Sequence, residues 1–162
     1  MIRRSLVAVF VACTAMVAVA CGSSPTQSGT ASTPAPTPTP APVMKTATAA
    51  VAGKSETILT DPKGMTLYYY LPDKGTGKVT CTGACLQAWP PLLLPTGVTE
   101  PTAGTGITGT LGLLASPNGG QQVTYNGWPL YTWVKDTAPG MTTGQNVGGK
   151  WFVATPSVAP AT

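Results

Sequence analysis

Four side chains have the types and spacing to do chemistry together: Cys81 and Cys85, four positions apart, and Asp73 and Asp136, at matching places in two similar stretches. Two carboxylates can act as the acid and base of a hydrolase. Each Asp, however, follows an aromatic run and precedes a glycine-containing turn, where a carboxylate accepts backbone N–H bonds. Turn formation is therefore the expected role of both. Cys81 and Cys85 offer either a structural disulfide or a redox-active pair. The spacing has one residue too many for the thioredoxin pattern, and the chain contains no histidine. That absence removes the commonest general base and the commonest metal ligand. Two thiols alone do not complete a zinc site, and a haem-attachment His is missing. No metal, no cofactor and no catalytic constellation are expected, so the chain reads as a non-enzyme.

The compartment decides between the cysteine readings. Met1-Ile-Arg-Arg is a short positive segment, and Ser5 to Val19 is an apolar run too short to span a bilayer comfortably. The run ends Ala18-Val19-Ala20-Cys21, then Gly22-Ser23-Ser24. Small residues before a cysteine, followed by polar ones, resemble the bacterial lipobox. Residues 1–20 are thus expected to be a lipoprotein signal peptide and Cys21 the acylated N-terminus, whose partner is membrane lipid. Cys13 is a poorer candidate because it stands close to Arg4. The Arg3-Arg4 pair also permits twin-arginine export. The expected location is the outer face of the cytoplasmic membrane. Outside the cytoplasm, an even, close pair such as Cys81 and Cys85 is most simply a disulfide.

Charge excludes one class of partner. Of nine basic residues, Arg3 and Arg4 lie in the export segment, which leaves seven Lys against five acids. Those Lys are scattered singly, so no patch forms to neutralise several phosphates, and nucleic acid is not an expected partner.

The elements that must position these groups are short. Residues 21–53 read as a disordered tether of Ser, Thr, Ala, Gly and Pro. Alternating prolines at 34, 36, 38, 40 and 42 favour extended polyproline geometry. The folded part is expected over 54–158. Glycine and proline recur too often for a good helix, and Asn126-Gly127 is a strong hairpin signal. The pattern predicts strands at Glu56–Thr60, Met65–Leu71, Ile107–Ala115, Gln121–Tyr125, Trp128–Val134 and Lys150–Ala154, with one helical turn at Ala84–Ala88. Within a strand, Tyr68 and Tyr70 share a face, as do Tyr131 and Trp133, while Leu67, Tyr69 and Leu71 take the other. Core packing is the plain role for these aromatics. A groove for a sugar, lipid or quinone-like ligand is the sharper one.

The two hairpins are copies. A shift of 63 residues carries Gly64, Leu67, Tyr68, Tyr70 and Asp73 onto Gly127, Leu130, Tyr131, Trp133 and Asp136, and Trp89 onto Phe152. Gly144 and Gly148 then stand where the first copy has Cys81 and Cys85, so the repeat does not itself require a bridge. The copies are expected over about 56–95 and 119–156. With these motifs the chain resembles the bacterial secreted-repeat lipoproteins that carry a Tyr-x-(Phe/Trp/Tyr)-x-x-Asp motif. The resemblance implies location and modular form, since that repeat has no assigned function.

The sequence thus predicts an all-β single domain of two pseudo-symmetric hairpin repeats with a short helical turn, on a tether. The expected function is a membrane-anchored extracytoplasmic binding or scaffold module for an unknown envelope ligand or protein. A redox accessory using Cys81 and Cys85 is the alternative, and a carboxylate-dependent hydrolase a weaker one.

Overall fold

The computed structural model describes residues 41–162. The expected signal peptide, Cys13, Cys21 and the tether through residue 40 lie outside the described residues.

The fold opens on a hairpin that the composition does not suggest, ahead of the expected one between Glu56–Thr60 and Met65–Leu71, which is reduced to the bridge Thr60↔Thr66. Strands β1 (Lys45–Val51) and β2 (Lys54–Thr60) pair antiparallel over their full length, from Lys45↔Thr60 to Val51↔Lys54. Val43 and Met44, just before β1, are buried. The expected tether boundary at residue 53 is therefore corrected: the folded part starts near Val43. Lys45-Thr-Ala-Thr-Ala-Ala-Val51 has the small side chains of a linker and carries almost no hydrophobic periodicity. It becomes a strand because β2 satisfies its backbone groups. At the other end the fold runs past the expected limit of 158. The Ala161 N–H donates to the Asn126 carbonyl at 3.0 Å, and Trp128 Nε1 donates to the Ala159 carbonyl at 2.8 Å.

β3 is only Tyr68–Tyr70, shorter than the expected Met65–Leu71. After it come a 3-10 turn at Leu71–Asp73 and the helical turn α1 at Ala84–Ala88, where the sequence placed it. β4 (Leu111–Ala115), β5 (Gln121–Tyr125) and β6 (Trp128–Pro129) form a three-stranded antiparallel sheet. β4 starts later than expected, and β6 stops well short of Val134. A second 3-10 turn at Val147–Gly149 matches α1 in the other copy, and β7 (Trp151–Val153) closes the chain.

The copies do not close on themselves. β3 pairs with β7, through Tyr68↔Val153, Tyr69↔Phe152 and Tyr70↔Trp151. In the mirror arrangement, Tyr131 bridges Pro91, and Thr132 and Val134 donate to the carbonyls of Pro90 and Ala88. Each copy's closing segment thus docks on the other copy's aromatic strand. Pro90 and Pro91 lack N–H groups, so the second contact never becomes a regular ladder. Ala154 sits between Leu59 and Leu67 of the first copy as Leu92 sits between Val123 and Leu130 of the second. These contacts correct two expectations. The copies begin at β1 and β4 rather than near 56 and 119, and Trp89 corresponds to Trp151, not Phe152. The closing segments are offset by 62 residues, one fewer than the aromatic strands.

Tyr68 and Tyr131 lie at the centre of this pseudo-twofold arrangement, each donating its N–H to the other's carbonyl, at 2.8 and 3.0 Å. The expected alternation of faces holds over residues 67–70 but not at Leu71, which begins the 3-10 turn and is exposed. Tyr68, Tyr70, Tyr131 and Trp133 enter one core with Trp89, Trp151 and Ile58. Leu67, Tyr69 and Leu130 enter a second with Val43, Met44, Leu59, Val123 and Tyr125.

Candidate functional site

The sequence singled out two tyrosines and two aspartates, and the fold joins them crosswise. The Tyr68 hydroxyl donates to Asp136 Oδ2 at 2.5 Å, and the Tyr131 hydroxyl donates to Asp73 Oδ2 at 2.7 Å. The other carboxylate oxygen of each Asp holds its own copy's loop. Asp73 Oδ1 accepts the Thr80 N–H at 2.8 Å and the Thr80 hydroxyl at 2.5 Å. Asp136 Oδ1 accepts the same two groups of Thr143 at 3.0 and 2.6 Å. The Tyr-to-Asp spacing in each motif therefore serves a contact between motifs. An Asp at the foot of one aromatic strand reaches the Tyr at the head of the other.

All four groups are buried, with both tyrosines and both aspartates under 5% exposed. Burial, reinforced by the hydrogen bond to a carboxylate, pushes both phenols well above their ordinary range. Tyr68 and Tyr131 are thus neutral donors and the carboxylates acceptors. Charge-assisted bonds of this kind are short and strong. The turn role expected for Asp73 and Asp136 is what this geometry provides, with an inter-copy tie added to it. Thr80 and Thr143 were not singled out from the sequence, although each lies seven residues after its Asp in the same register.

Beside the crossed pairs runs a stack of four rings: Tyr70, Trp151, Trp89 and Trp133. Successive centroids are 4.2, 3.8 and 4.1 Å apart, and the two central indoles are within 3° of parallel. The Tyr68 ring meets Trp89 edge-on at 5.4 Å, and Tyr131 meets Trp151 likewise at 5.1 Å. Each such contact contributes about 0.5–1.5 kcal/mol beyond area burial. The Lys135 ammonium lies 5.6 Å from the Trp133 centroid at one end of the stack.

Cys81 and Cys85 form a disulfide around the start of α1. Cys81 is buried against the first core. Gly144, its counterpart, donates its N–H to the Tyr68 hydroxyl at 3.2 Å. A Cβ at Gly144 would lie 2.8 Å from Trp89 and Tyr68 ring atoms. The second copy thus uses a bare backbone where the first uses a sulfur.

Gly64 and Gly127 hold positive φ of 88° and 83° in the turns that start the two aromatic strands, the conformation that favours glycine. Leu67 and Leu130 are fully buried in the second core. Among the described residues no three His, Cys, Asp or Glu side chains gather as a metal site. No helix among them is long and apolar enough to cross a membrane.

The sequence profile of a secreted repeat of unknown function matches the chain twice, over residues 49–93 and 112–155. Both segments begin on the first hairpin of a copy, in β1 and β4, and end in its closing segment. No curated protein and no solved structure matches the chain.

Proposed function

The chain belongs to the family of secreted repeats of unknown function, and on that premise we propose that it is a non-enzymatic binding module held on the outer membrane face by acylated Cys21. The observation that supports a module over an enzyme is the commitment of its reactive groups. Asp73 and Asp136 each accept three hydrogen bonds inside the fold. Cys81 and Cys85 are bonded to each other. A general acid or base must reach the proton it transfers, and both carboxylates are buried. The redox reading of the cysteines has less support, because Gly144 and Gly148 occupy the same places in a copy that keeps the rest of the motif.

Anchoring is tested by Cys21→Ala in the full-length precursor. Phase partition in detergent and the N-terminal mass should reveal an uncleaved, unacylated chain. A variant still cut before residue 21 and still acylated overturns the assignment.

A further inference from the structure

The two copies agree closely at their shared axis, where Tyr68 matches Tyr131, Tyr70 matches Trp133 and Trp89 matches Trp151. They disagree at the cross-copy pair between these. The first copy's strand has Tyr69 paired with Phe152, whereas the second has Thr132 against Pro90. The repeat therefore folds without aromatic rings at this pair, and the rings are a feature of one side only. Tyr69 and Phe152 lie side by side, 5.9 Å between centroids and 29° from parallel. The Trp128 ring packs against Tyr69, with centroids 4.6 Å apart and the planes tilted by 46°. Neither Tyr69 nor Phe152 is fully buried.

These two rings form one wall of an open cleft of about 370 Å³, bounded on another side by the β1–β2 turn. That volume lies within the usual range for small-molecule sites, about 300–1,000 Å³. Lys54 and Glu56 stand on the same face of β2 at the rim, and Gln145 lines the cleft with its side-chain carbonyl pinned by the Val153 N–H at 2.8 Å. The Lys54 ammonium, the Glu56 carboxylate and the Tyr69 hydroxyl make no side-chain hydrogen bond among the described residues. Burial raises the Tyr69 phenol above its ordinary value, which keeps it a neutral donor.

We infer that this cleft is a saccharide-binding site. The inference rests on the binding-module reading and names its ligand class. A pyranose has an apolar C–H face and a rim of hydroxyls. The Tyr69–Phe152 ledge matches the face, while Glu56 accepts hydroxyl protons and Lys54 and Tyr69 donate to hydroxyl oxygens. A quinone-like ligand would leave the two rim charges unmatched. The open form also suits a unit within a longer glycan.

The test is a titration of the mature full-length protein in micelles of a non-glycosidic detergent. The probes are tetrasaccharides of N-acetylglucosamine, of α-linked glucose and of mannose, followed by Trp fluorescence and amide chemical shifts. At least one should bind and shift residues 51–56, Tyr69 and Phe152. Tyr69→Thr, which installs the other copy's residue, and Phe152→Leu should each weaken binding about tenfold, while amide shifts outside the cleft show that each variant keeps the fold. Tyr69→Phe keeps the ledge and should bind within a few-fold of the parent. Failure of all three probes, or undiminished binding by Tyr69→Thr, overturns the inference. So does a water-soluble benzoquinone that shifts the same amides when the sugars do not. The phase-partition result for Cys21 is independent of all these outcomes.

Discussion

Tyr68 and Tyr131 exchange both backbone hydrogen bonds, and each then sends its hydroxyl to the other copy's aspartate. The motif that marks each repeat is thus completed only by the neighbouring repeat. This relationship sets the behaviour expected of variants at all four positions.

Asp73→Ala and Asp136→Ala should each destabilise the protein by about 2–3 kcal/mol, since each removes a charged acceptor and leaves a buried hydroxyl unmatched. Asn should recover part of this, because its carbonyl can still accept from Thr80 or Thr143. The two Ala effects should not simply add, as both act through the directly paired tyrosines. Urea melts of the single and double variants measure this. Ala variants as stable as the parent would remove the structural role and favour a functional carboxylate pair.

The raised phenols predict an alkaline limit. In the unfolded chain Tyr68 and Tyr131 lose their protons near the ordinary tyrosine value of about 10, whereas in the folded protein they keep them to higher pH. Above that value the native state binds more protons than the unfolded one, so stability falls as pH rises. The contribution is complete below pH ~10 and is lost progressively above it. Melts across this range should show a steep decline in the parent and a shallower one in the Tyr68→Phe, Tyr131→Phe double variant. Equal slopes would mean that these hydroxyls are not the groups responsible.

Replacing both Cys81 and Cys85 by Ala should leave the fold intact at a cost of about 2 kcal/mol, the loop-entropy value for so small a ring. The second copy closes the same loop without sulfur. Gly144→Ala should behave differently. It forces a methyl group against Trp89 and Tyr68, and such overpacking costs about 1–3 kcal/mol. Thermal melts of the two variants would show whether sulfur or bare backbone matters more. A Gly144→Ala protein as stable as the parent would contradict the close packing at this point.

A fragment covering residues 41–110 should not fold as a monomer. Its closing segment around Pro90–Leu92 would lack the Tyr131 strand, and its β3 would lack β7. The expected results are a collapsed amide spectrum, or a dimer in which two fragments exchange closing segments. A dispersed spectrum from a monomeric fragment would show that the crossing is dispensable.

The sequence by itself determined the local features. Asn126-Gly127 set a turn, Gly64 and Gly127 marked the strand starts, and the alternation of Leu67, Tyr68, Tyr69 and Tyr70 assigned side chains to two faces. The 63-residue register identified the repeat, and the short helical turn at Ala84–Ala88 was legible. All of these depend on residues a few positions apart, where side-chain type limits backbone conformation directly. Tertiary structure decided which copy's closing segment each aromatic strand accepts. Both segments present similar aromatic and apolar residues, so a local pattern serves either pairing equally well. The same applies to β1, whose small residues are held by β2, and to the match of Trp89 with Trp151, which follows from the crossed docking rather than from a constant shift. The Tyr–Asp ties come last in this order, because a hydroxyl and a carboxylate more than fifty residues apart meet only when both copies have packed around one axis.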